Sequence, residues 1–200
     1  MRFWRSKPVP GNPLVSMVVA AYVVDEPRRR AALECLLKSF EAQTHSNWEA
    51  VVVHDGPGLG SFANLDSRIH LIETQERKQN FGHPWRQFGI EKTRGKYVGM
   101  TNGDNYYAPA YFEAMLRSLI ANNADFIHCD MIHSHKIWKP LPTKLKRGQI
   151  DLGCWLASGD LVRSTPWKDI SFAADWTYIQ ELTRKAGKVV KLSNFMFVHN

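Results

Sequence analysis

The tetrapeptide Asn102-Gly103-Asp104-Asn105 places one carboxylate between two side-chain amides. The residues before it, Tyr97 to Thr101, are short, apolar and β-prone, and Pro109 after it suits the first turn of a helix. A carboxylate at the carboxyl end of a strand stands where open α/β sheets bind their ligands. Asp104 is a hard oxygen donor, and with help from Asn102 and Asn105 it suits Mg²⁺ or Mn²⁺ held mainly through a ligand's phosphates. Taken alone, the same four residues more often form an ordinary Asx-rich turn. A second polar turn, His54-Asp55-Gly56-Pro57-Gly58, closes the β-branched run Trp48–His54. In a doubly wound sheet both turns can face one crevice, where one carboxylate bonds a base or ribose and the other holds a metal on phosphates.

A third group is His128-Cys129-Asp130-Met131-Ile132-His133-Ser134-His135. On a strand, Cys129, Met131, His133 and His135 share a face, and two histidines with a thiol could bind zinc, although the spacing matches no common zinc motif. Gly56-Pro57-Gly58-Leu59-Gly60 is no dinucleotide fingerprint, because no helix follows it.

The elements that must position these groups alternate. Residues 1–13 form a basic, Pro-rich lead-in in which Phe3 and Trp4 pack on the domain or touch a partner. Leu14–Val24 is a nearly continuous apolar run, as expected for a strand covered on both faces. Asp25-Glu26-Pro27 signals a helix start, and Leu33, Leu36, Leu37 and Phe40 give that helix one apolar stripe. A short strand is expected at Ile69–Ile72, a loop over 75–83 and a helix from Pro84 to Thr93. A further helix over Pro109–Asn122 and a strand over Ala124–Met131 follow. The Lys/Arg-rich segment 136–148 reads as an exposed loop, Trp155–Val162 as a partly buried strand or turn, Ala173–Ala186 as a helix and Lys188–Leu192 as a last strand. The pattern predicts one domain over residues 1–200, of class α/β, with a mostly parallel central sheet and helices on both faces.

The 200 residues carry a formal charge of +7, which fits anionic partners and equally a basic surface with none. No apolar run approaches the length of a membrane span, and no signal peptide is read at the N-terminus. Three scattered cysteines, Cys35, Cys129 and Cys154, imply free thiols and a reducing, cytoplasmic compartment.

Four stretches, in order and at matching spacing, give the chain a family likeness. They are Gln43-Thr44-His45-Ser46-Asn47-Trp48-Glu49-Ala50-Val51-Val52-Val53-His54-Asp55-Gly56, then Arg86-Gln87-Phe88-Gly89 with Gly95-Lys96-Tyr97, then Asn102-Gly103-Asp104, then Ala174-Asp175-Trp176. Over nearly its whole length the chain resembles the family 2 glycosyltransferases of GT-A fold, a Rossmann-like three-layer α/β/α arrangement. The resemblance implies inverting transfer of a sugar from a nucleotide sugar, a UDP-sugar, to an acceptor hydroxyl with a divalent metal, Mn²⁺ or Mg²⁺. It implies that Asp55 contacts the nucleoside and Arg86 the nucleotide or its diphosphate. It implies further that Asp104 would hold the metal, with Asn102 and His199 beside it, and that Asp175 would be the general base.

Asp130 or His133 would then lie near the donor or acceptor, with Trp155 and Trp176 on the acceptor side. The acceptor would be a glycan, a lipid-linked molecule or a small molecule. No nucleic acid and no membrane span are expected, and peripheral membrane contact is left open. Departures from the family pattern are His54 for the first acid of its "D-D-G-S" turn, Pro57 for serine, Asn102 for the first acid of its metal turn, and Ala174 for the glutamate beside the base. The appended helices that bind acceptors in the family are not seen here. The lost acid keeps a second reading alive, a nucleotide-sugar-binding module with little transferase activity. A third, a basic nucleic-acid-binding protein, rests on charge and tryptophans alone.

Overall fold

The computed structural model describes residues 8–24 and 26–200, so Phe3, Trp4 and Asp25 lie outside the described residues. The strands are β1 (Val15–Ala21), β2 (Trp48–His54), β3 (Ile69–Glu73), β4 (Tyr97–Asn102), β5 (Tyr106–Tyr107), β6 (Phe126–His133), β7 (Lys139–Leu141), β8 (Trp155–Ser158) and β9 (Val189–His199). The helices are α1 (Pro27–Glu41), α2 (His83–Glu91), α3 (Tyr111–Asn122), α4 (Gly159–Arg163) and α5 (Ala174–Lys185).

The strands make one sheet in the order β3-β2-β1-β4-β8-β6-β9-β5, and β7 pairs with β6. The long ladders, β1 with β2 and β4, β2 with β3, and β6 with β9, are parallel. The short β8 runs antiparallel to both β4 and β6. Two reversals leave β6 pointing the same way as β4, so the carboxyl ends of β1, β2, β4 and β6 share one edge.

β1 is buried along its whole length, and its alternation divides the two cores. Val15, Met17, Val19 and Ala21 face a core with Leu33, Leu36, Leu37 and Phe40 of α1 and Tyr111, Phe112, Met115, Leu116 and Leu119 of α3. Val18 faces the other core, with Ile90, Val162, Tyr178, Ile179 and Leu182 from α2, α4 and α5. The result is three layers, α/β/α.

Several boundaries differ from those expected. The last strand extends to His199 rather than stopping at Leu192. The polar Ser193-Asn194 hid this, and the ladder absorbs it as a register shift on either side of Asp130. The segment 155–162 divides into β8 and α4, and the 136–148 loop contains β7. β5, only two residues long, had no sequence signal.

The motif residues Gln43, Thr44 and Glu49 turn out to be fasteners. Gln43 Nε2 donates to Ser39 O and Ala108 O, while its Oε1 accepts from Phe112 N at the start of α3. Thr44 Oγ1 donates to Glu113 Oε2 at 2.8 Å. Glu49, 2% exposed, accepts from Ser16 Oγ (2.6 Å), Arg94 N, Arg94 Nε and Arg94 Nη2. Burial pushes its pKa up, but the bonds from Ser16 and Arg94 win and hold it below the usual carboxylate range. Glu49 thereby ties β2 to β1 and to the entry of β4.

Candidate active site

The end of β1 brings the two acidic turns together. Asp55 N donates to Ala21 O at 2.9 Å and Gly103 N donates to Ala20 O at 3.0 Å. Consecutive carbonyls of one strand thus clamp the β2 and β4 turns side by side, as their types and spacing led one to expect. Between them opens a cleft of about 570 Å³. Asp55, Asp104, Tyr22, Arg29 and Arg77 line it, together with the segment Gln79–Gly82.

His54, which stands where the family's turn has its first acid, is fully buried. Its Nε2 accepts from Val23 N (3.1 Å), which leaves Nδ1–H to donate to Gly56 O (2.7 Å). The ring therefore braces the turn that carries Asp55 against the loop after β1.

Asp55 is itself 4% exposed. Oδ1 accepts from Lys78 N and Trp85 Nε1, both at 2.7 Å, and Oδ2 accepts from Gln79 N at 2.8 Å. The gripped segment continues through four residues of positive φ, namely Gln79 (60°), Asn80 (49°), Phe81 (56°) and Gly82 (74°). Glycine is required at 82, because a Cβ there would stand 2.7 Å from Ala20 Cβ. Three non-glycine residues held left-handed in the cleft wall are a costly arrangement of the kind that clusters at functional sites.

Asp104 faces the cleft. Surrounding protein raises its pKa by desolvation, while its own backbone amide, His199, Arg29 and Arg86 pull it down. Arg86 on α2 is 1% exposed. It donates to Asn102 Oδ1 (2.6 Å), Thr101 O, Phe81 O and His83 Nδ1. All four acceptors are neutral, and burial lowers its pKa. Asp175, Asp151 and Asp104 are the carboxylates whose charge opposes that shift. Asn102, expected at the metal, gives its oxygen to Arg86 instead.

Asp175 sits in the first turn of α5. Its Oδ1 is buried without a hydrogen-bond partner and lies 3.8 Å from His83 Nδ1. His83 stacks on Trp167 (5.3 Å between centroids), and burial and then Arg86 lower its pKa. Its Nδ1 accepts from Arg86 and carries no proton to offer Asp175.

His199 ends β9 with its ring against His133 (4.2 Å) and its Nε2 3.6 Å from Asp151 Oδ2. Its Nδ1 is buried without a partner. Asp151 escaped the sequence reading. It is the Asx cap of a single helical turn, accepting from Gly153 N, and burial raises its pKa. Nothing at Gln149-Ile150-Asp151-Leu152-Gly153 distinguishes it from any surface turn. Arg29 and Arg77 were missed as well, since each stands among other basic residues.

Two expected pocket residues lie elsewhere. Trp155 is fully buried, stacked on Phe126 at 5.5 Å. It belongs to the core because its side of β8 faces α5. Asp130 is 4% exposed and is occupied by Lys191 Nζ (2.7 Å) and Thr143 N (2.8 Å). Trp176 remains partly buried beside Asp175. Among the described residues no three His, Cys, Asp or Glu side chains form a metal cage. His128 lies buried on Thr143 Oγ1 and burial pushes the Cys129 thiol up to about 12, while His133 and His135 meet each other by their rings.

The model of the family described as Glycosyl transferase family 2 matches residues 16–167. EpsJ of Bacillus subtilis (strain 168), an uncharacterized glycosyltransferase, is 32% identical over 123 residues, covering 58% of this chain and 33% of its own. The chain spans about a third of the length of such curated relatives. Among solved structures, S. aureus TarS 1–349 in complex with UDP-GlcNAc aligns at TM-score 0.71 and 14% identity, over 92% of this chain and 57% of TarS. The mannosyltransferase PcManGT from Pyrobaculum calidifontis, in complex with GDP-Man and Mn²⁺, aligns at 0.65 and 15%, over 99% and 60%. These likenesses show the GT-A fold.

Proposed function

The chain belongs to glycosyl transferase family 2, and from that premise we propose that it moves a sugar from a nucleotide sugar to an acceptor hydroxyl with inversion, within one catalytic domain spanning residues 1–200. The observation that carries this is the cleft in which β1 clamps Asp55 and Asp104 side by side, with Arg29 and Arg77 in its wall. The arrangement fits a nucleoside diphosphate. Oδ2 of Asp55, which accepts one protein hydrogen bond where Oδ1 accepts two, takes the base, and the arginines with Arg86 behind them set a positive field for the phosphates. We take the nucleotide to be UDP, as in the TarS complex.

Asp175 is the general base. Its unpartnered Oδ1 can take the acceptor's proton as the acceptor oxygen bonds the anomeric carbon and the bond from that carbon to the diphosphate oxygen breaks. Such a base contributes about 10²–10⁴-fold. A divalent cation bound chiefly through the diphosphate needs only one or two protein donors. Asp104 and the unpartnered His199 Nδ1 fit that requirement. When bound, the cation would neutralise charge on the leaving diphosphate. Asn102 stays with Arg86. Trp176 flanks the acceptor, a glycan, lipid-linked or small hydroxyl compound. Three unpaired cysteines favour a reducing compartment, and we place the reaction in the cytoplasm.

UDP binding with and without Mn²⁺, followed by turnover on a panel of nucleotide sugars, tests this. Mn²⁺ should tighten UDP binding, and Asp104→Ala should remove that gain. Asp175→Asn should lower turnover by about 10²–10⁴-fold with UDP binding intact. UDP binding indifferent to Mn²⁺, or full turnover in Asp175→Asn, would refute the corresponding role.

A further inference from the structure

The tip of the β6–β7 hairpin is strained where no cleft needs it. Ile137 and Trp138 both have positive φ, 55° and 56°. A β-branched residue in that region is a genuine outlier. Both side chains also point away from the protein, with Ile137 81% and Trp138 55% exposed. The tip is nonetheless ordered, since Ile137 N donates to Ser134 O (2.9 Å) and Trp138 N donates to His133 O (3.1 Å). The fold therefore bears backbone strain to hold an isoleucine and a tryptophan in solvent, and that combination points to a partner.

The surroundings define the partner's chemistry. Lys136 and Lys139 flank the pair, and exposed Lys144, Lys146, Arg147 and Leu145 follow on the adjoining loop, which buried Thr143 pins to Cys129 O and Asp130. None of these five cations is ion-paired among the described residues. A soluble polyanion would use the cations and gain nothing from Ile137. A second copy docked on the same patch would set five cations against five.

We propose that this tip docks on a bilayer surface bearing anionic lipids, with Ile137 and Trp138 entering the interfacial region and the lysines remaining at the headgroups. The tip hangs from His133, at the carboxyl end of β6, whose ring lies on His199, and the charge of His199 reaches Asp104 in the cleft; a bilayer docked here lies on the same edge of the sheet as the candidate site. If the transfer reading above holds, this favours a lipid-linked acceptor. The docking itself needs no turnover.

Flotation of the full chain with vesicles of phosphatidylcholine, alone or mixed with phosphatidylglycerol, tests the proposal. The protein should partition onto the anionic vesicles, less so as salt rises. The double variant I137S/W138S should lose on the order of tenfold in partition. Lys136→Gln and Lys139→Gln should each lose about fivefold. Ile137→Gly should raise Tm by about 2–4 °C through relief of the backbone while partition falls, which separates docking from folding. UDP binding should be unchanged in all of them. Wild-type partition in I137S/W138S would overturn the proposal. So would binding to dextran sulfate that ignores Ile137 and Trp138 while vesicles fail, or a dimer in gel filtration that Ile137→Ser dissolves. Vesicle binding without any sugar transfer would leave docking standing and remove the transfer reading alone.

Discussion

Asp55→Asn probes the cleft most sharply, because the change is isosteric and the carboxylate's partners are all donors. Oδ1 serves Lys78 N and Trp85 Nε1, and Oδ2 serves Gln79 N. In its best pose the asparagine keeps its oxygen on the first pair and turns an NH₂ toward Gln79 N–H. One hydrogen bond to a charged acceptor goes, worth about 1.5–3 kcal/mol, and a buried donor is left unsatisfied at about 1–3 kcal/mol more. The strained segment 79–82 has little else to absorb roughly 3 kcal/mol, so it should open locally while the sheet stays folded. Re-closing it on a ligand would weaken UDP binding by roughly 100-fold. Calorimetric titration with UDP and amide exchange at residues 78 and 79 would read both effects. If Asp55→Asn binds UDP as the wild type does, with protection at 78 and 79 intact, then Asp55 does not organise the cleft wall.

Two stability predictions complete the set. Glu49→Gln should cost about 2 kcal/mol at neutral pH. Because the folded pKa of Glu49 is depressed, its contribution is fully present above the unfolded value of about 4.5 and is lost as pH falls through the folded value. Urea titrations of the two proteins should therefore converge in acid, and a gap that persists there would refute the assignment. Gly89→Ala places a Cβ 2.5 Å from Val18 Cγ1 where α2 lies on β1. Thermal melts should show about 1–3 kcal/mol of destabilisation, and an unchanged Tm would show that the helix can lift at no cost.

What could be read from the sequence was what depends on local pattern. Asp55 and Asp104 follow short β-prone runs at turn residues, so their place at the carboxyl edge follows from strand direction. What could not be read depends on which neighbour a side chain meets. Trp155 reads equally well as a sugar platform or as core, and only the side of β8 that faces α5 decides. Asp130 carries no mark of the lysine 61 residues away that occupies it. Asp151 becomes notable only when β9, running past its polar interruption, delivers His199 to it. Gln43, Thr44 and Glu49 were visible as a motif, yet their spacing could not reveal that they fasten α1, α3 and β4 rather than touch a ligand.

The asparagine in the turn after β4 has a physical account. Asn102 Oδ1 lies 2.6 Å from Arg86 Nη2. A carboxylate in that place would form a buried ion pair, and the guanidinium's charge would be spent on it. With an amide there, Arg86 bonds only neutral acceptors, and its charge acts on Asp104, Asp151 and Asp175 together. The second acid of an ordinary metal turn would bring one more negative charge toward the cation. Here an arginine that bonds no carboxylate directly supplies positive potential behind the turn from the protein itself. On the proposed function, a divalent cation would be held chiefly by the diphosphate, and Arg86 would share with it the neutralisation of the diphosphate's charge. The single-acid turn and the buried arginine are therefore coupled, since Asn102 Oδ1 orients the guanidinium while leaving its charge to act on the carboxylates around the cleft.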